Sequence, residues 1–146
     1  MLWFAKASGK VGRTPKGTNT LLYFVKGTTE EISIMKIETR KVGDVTLLDC
    51  SGKITLGEGT MAVRNTVREI LKNGGKKIIL NLGDVNYIDS SGIGELVSSY
   101  TTVTSGGGQL KLLNLTKKIQ ELLAITKLLT VFQVYNDERA AVASFS

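Results

Sequence analysis

Histidine is absent from this sequence of 146 residues, and cysteine and proline occur once each, as Cys50 and Pro15. Without histidine the chain can form neither a Ser-His-Asp or Cys-His catalytic arrangement nor an imidazole metal site. A single cysteine excludes an internal disulfide and a structural zinc site, and it is typical of a protein in a reducing cytoplasm. These absences exclude most common hydrolases and metalloenzymes, and we expect neither a metal nor a cofactor.

Long apolar runs are also missing, since the longest contain five residues, Met1–Ala5 and Leu21–Val25. A membrane helix needs about 20 apolar residues and a secretory signal core about 7–15, so we expect a cytoplasmic protein without a membrane span. The net charge of +6 is divided evenly between residues 1–34 and 35–146, and the basic pairs are scattered along the chain. Nucleic-acid binding usually needs a concentrated basic face, and it is therefore not expected.

The first 34 residues differ in composition from the rest of the chain. Residues 6–20 are rich in lysine, glycine and threonine and show neither a strand period nor a helix period. Two interpretations of residues 1–34 are open. They are a flexible tail, or they are a translated leader before a natural start at Met35. The second interpretation rests on Glu30 and Glu31, which can be encoded by a purine-rich stretch that resembles a bacterial ribosome-binding site just upstream of Met35.

From Met35 onward the hydrophobic pattern alternates between strands and helices. Five strands are predicted, at 36–41, 44–50, 78–82, 110–113 and 131–135. The first two are expected to be joined by a hairpin turn at Val42-Gly43. Apolar residues at helical spacing predict three helices, at Val63, Val67, Ile70 and Leu71, at Ile93, Leu96, Val97, Tyr100 and Val103, and at Ile119, Leu122, Leu123 and Thr126. A fourth, short helix is predicted at 137–143 with Asn136 as its cap. This order indicates one α/β domain over residues 35–146, with a mixed, mostly parallel sheet of about five strands packed with about four helices.

The segment 83–94 follows the third predicted strand and is expected to be a loop that leads into a helix. In open α/β sheets, functional residues concentrate just beyond the carboxyl ends of the strands. Asp89, Ser90 or Ser91 can cap the free N–H groups at the start of the helix. Because these N–H groups and the helix dipole favour negative charge, a serine here can accept a phosphate without unfolding the helix. A helix cap without further function is the alternative interpretation.

The eleven residues from Asp84 to Gly94 read Asp-Val-Asn-Tyr-Ile-Asp-Ser-Ser-Gly-Ile-Gly. This stretch resembles the signature of anti-sigma factor antagonists, the bacterial STAS-domain proteins. The resemblance extends from Met35 to Phe145, about three quarters of the chain, and includes the Gly-Gly-Gly turn before Leu110. It implies a single STAS-like domain that regulates transcription by partner switching. The unphosphorylated protein then binds an anti-sigma factor that is also a serine kinase, and this binding releases a sigma factor.

The resemblance also implies roles for individual residues. The kinase phosphorylates the serine directly after the signature aspartate, which is Ser90 here, with Ser91 as the competing acceptor. The kinase binds the ATP and Mg²⁺, and a PP2C-type phosphatase restores the hydroxyl, so this chain is a substrate and a switch. Asp89 is expected to orient the turn or the hydroxyl, and Gly92 and Gly94 are expected to allow close docking of the partner.

One stretch departs from the family pattern. After the second strand, family members often carry Gly-Glu-hydrophobic-Asp, whereas this chain has Gly52-Lys53-Ile54-Thr55. A cation and a neutral hydroxyl therefore replace two acidic groups near the serine. We include Lys53 and Thr55 among the candidate partner-binding residues, and the departure leaves the identity of the partner open.

Two alternative functions are open besides that of an anti-sigma factor antagonist, namely a scaffold and an enzyme. STAS domains also act as non-enzymatic scaffolds in stress-signalling assemblies or beside transporters, where the serine is not phosphorylated. In an enzyme, Ser90 or Ser91 would be the nucleophile, and its base would have to be a lysine or a carboxylate. No Ser-x-x-Lys pattern occurs at this segment, so we expect no enzymatic activity and no catalytic residue.

Overall fold

The structure is a computed structural model that describes residues 10–13, 19–23 and 35–145. Its strands are β1 (Lys10–Arg13), β2 (Asn19–Tyr23), β3 (Met35–Val42), β4 (Val45–Ile54), β5 (Lys77–Ile88), β6 (Gln109–Leu113) and β7 (Val134–Tyr135). Its helices are α1 (Glu58–Lys72), α2 (Ser90–Ser105), α3 (Lys117–Ile125) and α4 (Glu138–Ala143). All described strands belong to one sheet, in the order β1-β2-β3-β4-β5-β6-β7.

The part of the sheet formed by residues 35–145 has the predicted topology. β3 and β4 form an antiparallel hairpin, whereas β4, β5, β6 and β7 run parallel to one another. Gly43 in the hairpin turn has a φ of 64°, a left-handed conformation that glycine adopts without strain. The prediction of one α/β domain with five strands and four helices in this part of the chain is confirmed.

Two short stretches of the first 34 residues add strands to this sheet. β2 pairs antiparallel with β3, with Asn19 opposite Thr39 and Tyr23 opposite Met35, and β1 pairs antiparallel with β2. The composition of residues 6–20 indicates no regular structure, and this expectation is wrong for β1 and the start of β2. Strand pairing is made by backbone hydrogen bonds, so it can form without an apolar period in the sequence. The rest of residues 1–34 lies outside the described residues, so the choice between a flexible tail and a leader stays a prediction.

The sheet separates two hydrophobic cores. The larger core lies between the sheet and helices α1, α2 and α3, and it includes Ile78, Leu80 and Leu112. The smaller core lies on the opposite face beneath α4, and its buried members are Val45, Leu47, Ile79, Leu113, Ala141 and Phe145. Because both faces of the central strands are covered, these strands are apolar without alternation, as predicted for a parallel sheet.

The predicted strand at 78–82 is longer than its composition indicates. β5 continues to Ile88, so the first half of the segment 83–94, which is expected from the sequence to be a loop, is strand. The reason is non-local: β4 extends to Ile54 and pairs with the added part of β5, which accommodates extra residues at two irregularities of the pairing. Val85 and Ile88 of the extension are buried in the larger core.

Two predictions near the carboxyl end of the chain are wrong. The last strand comprises only Val134–Tyr135 instead of 131–135, because Val131 lies in a turn after α3. The cap of α4 is Asp137 and not Asn136. Asp137 directly precedes the first helical residue, and its carboxylate accepts the N–H of the residue three positions later at 2.9 Å.

Candidate functional site

Asp89 organises the start of α2, where it lies directly between β5 and the helix. Its Oδ1 atom accepts the N–H of Gly92 at 2.8 Å, and its Oδ2 atom accepts the N–H of Leu56 at 3.2 Å. The N–H of Asp89 donates to the carbonyl oxygen of Ile54 at 3.4 Å. Of the three residues predicted as possible caps, Asp89 is therefore the cap, and it also joins the helix to the connection that follows β4.

Ser90 and Ser91 occupy the first two positions of α2 and differ in exposure. Ser90 is exposed and Ser91 is half-buried. Neither hydroxyl makes a hydrogen bond within the described residues. Apart from the capping carboxylate of Asp89, the first turn of α2 contains no acidic side chain, and the free N–H groups at a helix start favour negative charge. The Ser90 hydroxyl is thus accessible at a position where added negative charge is favourable.

The two glycines of the first turns have different surroundings. Gly92 is buried, and a Cβ built on it would overlap the carbonyl oxygen of Ile54 and the side chain of Ile88. Gly94 is exposed, and nothing lies within 4 Å of a Cβ at that position. Both glycines are predicted from the sequence to allow close docking, whereas at Gly92 the missing side chain lets α2 pack closely on the end of β4.

Lys53 and Thr55, the residues that depart from the family pattern, lie at the end of β4. Lys53 is exposed and is opposite Tyr87 in the register of β4 and β5, and Thr55 is half-buried. Since the backbone of Asp89 bonds the intervening Ile54, all of these residues lie near the start of α2. The structure thus brings Lys53, Thr55, Asp89, Ser90, Ser91 and Gly94 to one end of the sheet.

Two exposed apolar side chains that the sequence analysis did not single out lie beside these residues. Leu56 is 76% exposed and its N–H is bonded to Asp89, and Met61 in the first turns of α1 is 45% exposed. They give the connection after β4 and the start of α1 a partly apolar surface. The sequence signal was an isolated leucine within the glycine-rich connection 55–59.

Side-chain contacts also fix the neighbouring elements around α2. Arg64 of α1 donates through Nε and Nη2 to Oε1 of Glu95 in α2, at 3.2 and 2.8 Å. Ser99 donates to the other oxygen of this buried carboxylate at 3.2 Å, so the carboxylate is paired, as a buried charge needs to be. The ammonium of Lys118 in α3 lies 5.3 Å from the centre of the Tyr87 ring, a cation–π contact.

Four further side chains have structural roles in the fold. Ile93 and Leu96 are buried in the larger core rather than exposed for a partner. Cys50 is buried, and burial raises the pKa of its thiol to about 12, which leaves the sulfur unreactive. Thr116 caps α3, with its side chain accepting the N–H of Ile119.

The described residues contain no group of three or more cysteine, aspartate or glutamate side chains placed to hold a metal ion. None of the helices in the same part of the chain is long and apolar enough to cross a bilayer.

Comparison with curated proteins finds relatives among anti-sigma factor antagonists. A putative anti-sigma factor antagonist of Thermotoga maritima is 28% identical over 95 residues, which are 65% of this chain and 84% of the relative. The anti-sigma-B factor antagonist of Bacillus subtilis is 37% identical over 60 residues, 41% of this chain and 55% of the relative.

Solved structures give the same result for the fold. The crystal structure of a putative anti-sigma factor antagonist from Thermotoga maritima matches with a TM-score of 0.66 and 25% identity, covering 74% of this chain and 92% of that one. The Bacillus cell fate determinant SpoIIAA in its phosphorylated form matches with a TM-score of 0.61 and 17% identity, covering 75% of this chain and 99% of that one. The profile of the STAS domain matches residues 36–141, well over half of the sequence, and this confirms the resemblance seen at Asp84–Gly94. The chain is therefore a member of the STAS domain family.

Proposed function

We propose that this protein is an anti-sigma factor antagonist that acts by partner switching. In its unphosphorylated form it binds an anti-sigma factor that is also a serine kinase, and this binding releases a sigma factor. Phosphorylation of Ser90 ends the interaction, and a PP2C-type phosphatase restores it. The chain itself is a binding protein, with no catalytic role in either reaction.

The observation that supports this proposal most directly is the placement of Ser90. It is exposed at the first position of α2, without a hydrogen bond to its hydroxyl within the described part of the chain. The carboxylate of Asp89 caps the helix beside it and so takes over the role that the serine would have as a cap. The relatives supply the biological context, since they are named as anti-sigma factor antagonists.

A phosphate on Ser90 changes the docking surface without unfolding the helix. It adds about −1.5 to −2 charges and three strong acceptor oxygens at the positive end of α2. Leu56 and Met61 make the same region partly apolar. A contact that buries such side chains cannot also bury a dianion unless the partner offers a matching cation, so phosphorylation weakens binding.

Intact mass measurement with peptide mapping tests this proposal. The chain is incubated with ATP, Mg²⁺ and an extract of the source bacterium, beside Ser90→Ala, Ser91→Ala and Ser98→Ala chains, Ser98 being another exposed serine of α2. We expect one phosphate, which is lost only in Ser90→Ala. The phosphate-free chain then serves as bait for the kinase and for the sigma factor that it holds.

Other outcomes of this experiment lead to the alternative function. No phosphate, with an extract that modifies a known antagonist, would favour an unphosphorylated STAS scaffold of a signalling or transporter assembly. A phosphate lost only in Ser91→Ala would move the switch by one residue and keep the rest of the proposal.

A further inference from the structure

The outer edge of β3 is closed by a strand of the chain's own N-terminal segment. On its inner side, β3 pairs with β4 from Lys36 to Val42. On its outer side, β2 pairs with the stretch from Met35 to Thr39. Among the described residues, the five of β2 are therefore what covers this edge of the sheet.

The strand that closes the edge is additional to the family domain. The STAS profile begins its match at residue 36, after the last residue of β2. The match to the phosphorylated SpoIIAA structure covers 75% of this chain and 99% of that one. SpoIIAA is therefore a folded protein about as long as the matched part of this chain. The family domain thus begins at β3, and β2, which also contacts α1, is an addition to it in this chain.

The side chains of β3 make its edge complementary to itself. Met35 and Ile37 are buried in the larger core, whereas Lys36 and Glu38 lie on the opposite face with their charged ends 3.5 Å apart. In an antiparallel pair of two β3 strands centred on Ile37, each Lys36 faces a Glu38 of the other copy. Opposite charges at facing positions stabilise strand pairing, and an unpaired edge is a template for another strand.

We infer that the outer edge of β3 is a pairing surface for a second copy of this chain, and that Asn19–Tyr23 keep it closed. When β2 is displaced, the β3 strands of two copies pair antiparallel about Ile37 and form a continuous sheet. This surface does not include Ser90, so the inference is independent of the proposed phosphorylation.

The full chain with both Leu21→Pro and Leu22→Pro tests this inference, because proline cannot donate a ladder hydrogen bond. In an antiparallel strand, one of two consecutive N–H groups is directed at each neighbour, so the double change disrupts pairing with β3. Leu21→Val with Leu22→Val keeps both N–H groups and is the matched control. By light scattering after size exclusion, we expect the unaltered chain and the valine control to be monomers and the proline chain to be a dimer.

A charge exchange then identifies the surface used. In the proline chain, Lys36→Glu places like charges at both facing pairs, and we expect it to weaken dimerisation by about tenfold. Lys36→Glu combined with Glu38→Lys restores the opposite charges and the affinity. If circular dichroism shows that the proline chain is unfolded, a chain of residues 35–146 replaces it in the same comparisons. A folded but monomeric chain without β2, a dimer of the unaltered chain, or a dimer insensitive to Lys36→Glu would each overturn the inference.

Discussion

At the scale of single residues, the position of α2 depends on one absent side chain. A Cβ on Gly92 would overlap the carbonyl oxygen of Ile54, whereas one on Gly94 meets nothing within 4 Å. We expect Gly92→Ala to lower the free energy of unfolding by about 1–3 kcal/mol through overpacking. Gly94→Ala is the matched control, and it should raise that free energy by up to about 1 kcal/mol, since alanine is the better helix former. Urea denaturation measures both changes, and equal effects would contradict the packing argument.

Asp89 caps its helix and also bonds the connection after β4, whereas Asp137, the cap of α4, has only the first of these roles. It accepts an N–H of its own helix and the N–H of Leu56, whereas Asp137 caps α4 through a single N–H. We expect Asp89→Ala and Asp137→Ala each to lower the free energy of unfolding by about 1 kcal/mol. Faster amide hydrogen exchange at Leu56 is expected for Asp89→Ala alone. Unchanged exchange at Leu56 would show that Asp89 does not hold the connection after β4.

At the scale of elements, α4 is held on the sheet by contacts near both of its ends. Near its start, Glu138 accepts hydrogen bonds from Arg40 of β3 at 2.7 and 3.0 Å. Beyond its end, the buried ammonium of Lys111 donates to Oγ of Ser144 at 2.7 Å and lies 4.3 Å from the centre of the Phe145 ring. The smaller core beneath α4 is thus closed by an ion pair on one side and by a buried lysine on the other.

The ion pair of α4 makes part of the stability dependent on pH. The guanidinium of Arg40 lowers the pKa of Glu138 below its ordinary value of 4.5. A carboxylate with a lowered folded-state pKa stabilises the fold above its ordinary pKa, and this contribution is lost as the pH falls through the folded-state pKa. We expect Glu138→Gln to cost less than about 1 kcal/mol at neutral pH, because the pair is partly exposed, and nothing in strong acid. Urea denaturation at both pH values measures this difference, and the exposed Glu121→Gln should show none.

The helices and the end of β5 show what a sequence reveals and what it does not. Ile93, Leu96 and Val103 repeat at helical spacing within one segment, so α2 is visible locally. The stretch 83–88 contains glycine, aspartate and asparagine, which strands disfavour, and it becomes strand because β4 is long enough to pair with it. The bond from Leu56 to Asp89 joins residues 33 positions apart and has no local signal. The candidate site residues could therefore be proposed from their motif, whereas the contacts that arrange them could not.

At the scale of the whole molecule, the effect of where a charge lies can be separated from the effect of the net charge. Lys53→Glu and Lys72→Glu both reduce the net charge from +6 to +4, but Lys53 lies near Ser90 and Lys72 at the far end of α1. We expect Lys53→Glu to change the affinity for the proposed kinase partner several-fold and Lys72→Glu to leave it nearly unchanged. Titration calorimetry at low and high salt measures both, and the difference should shrink as salt screens the charge. Equal affinities of the two variants would place Lys53 outside the interface.

The short connection between β5 and α2 determines how an enzyme can recognise Ser90 in this protein. β5 pairs with β4 up to Ile88, and a single residue, Asp89, separates it from the helix. The residues before and after Ser90 are therefore held by the sheet and by the helix, and they cannot straighten to lie in a cleft as an extended peptide does. An enzyme that modifies Ser90 must recognise the surface of the folded domain, and a synthetic peptide of residues 84–95 should be a poor substrate for it.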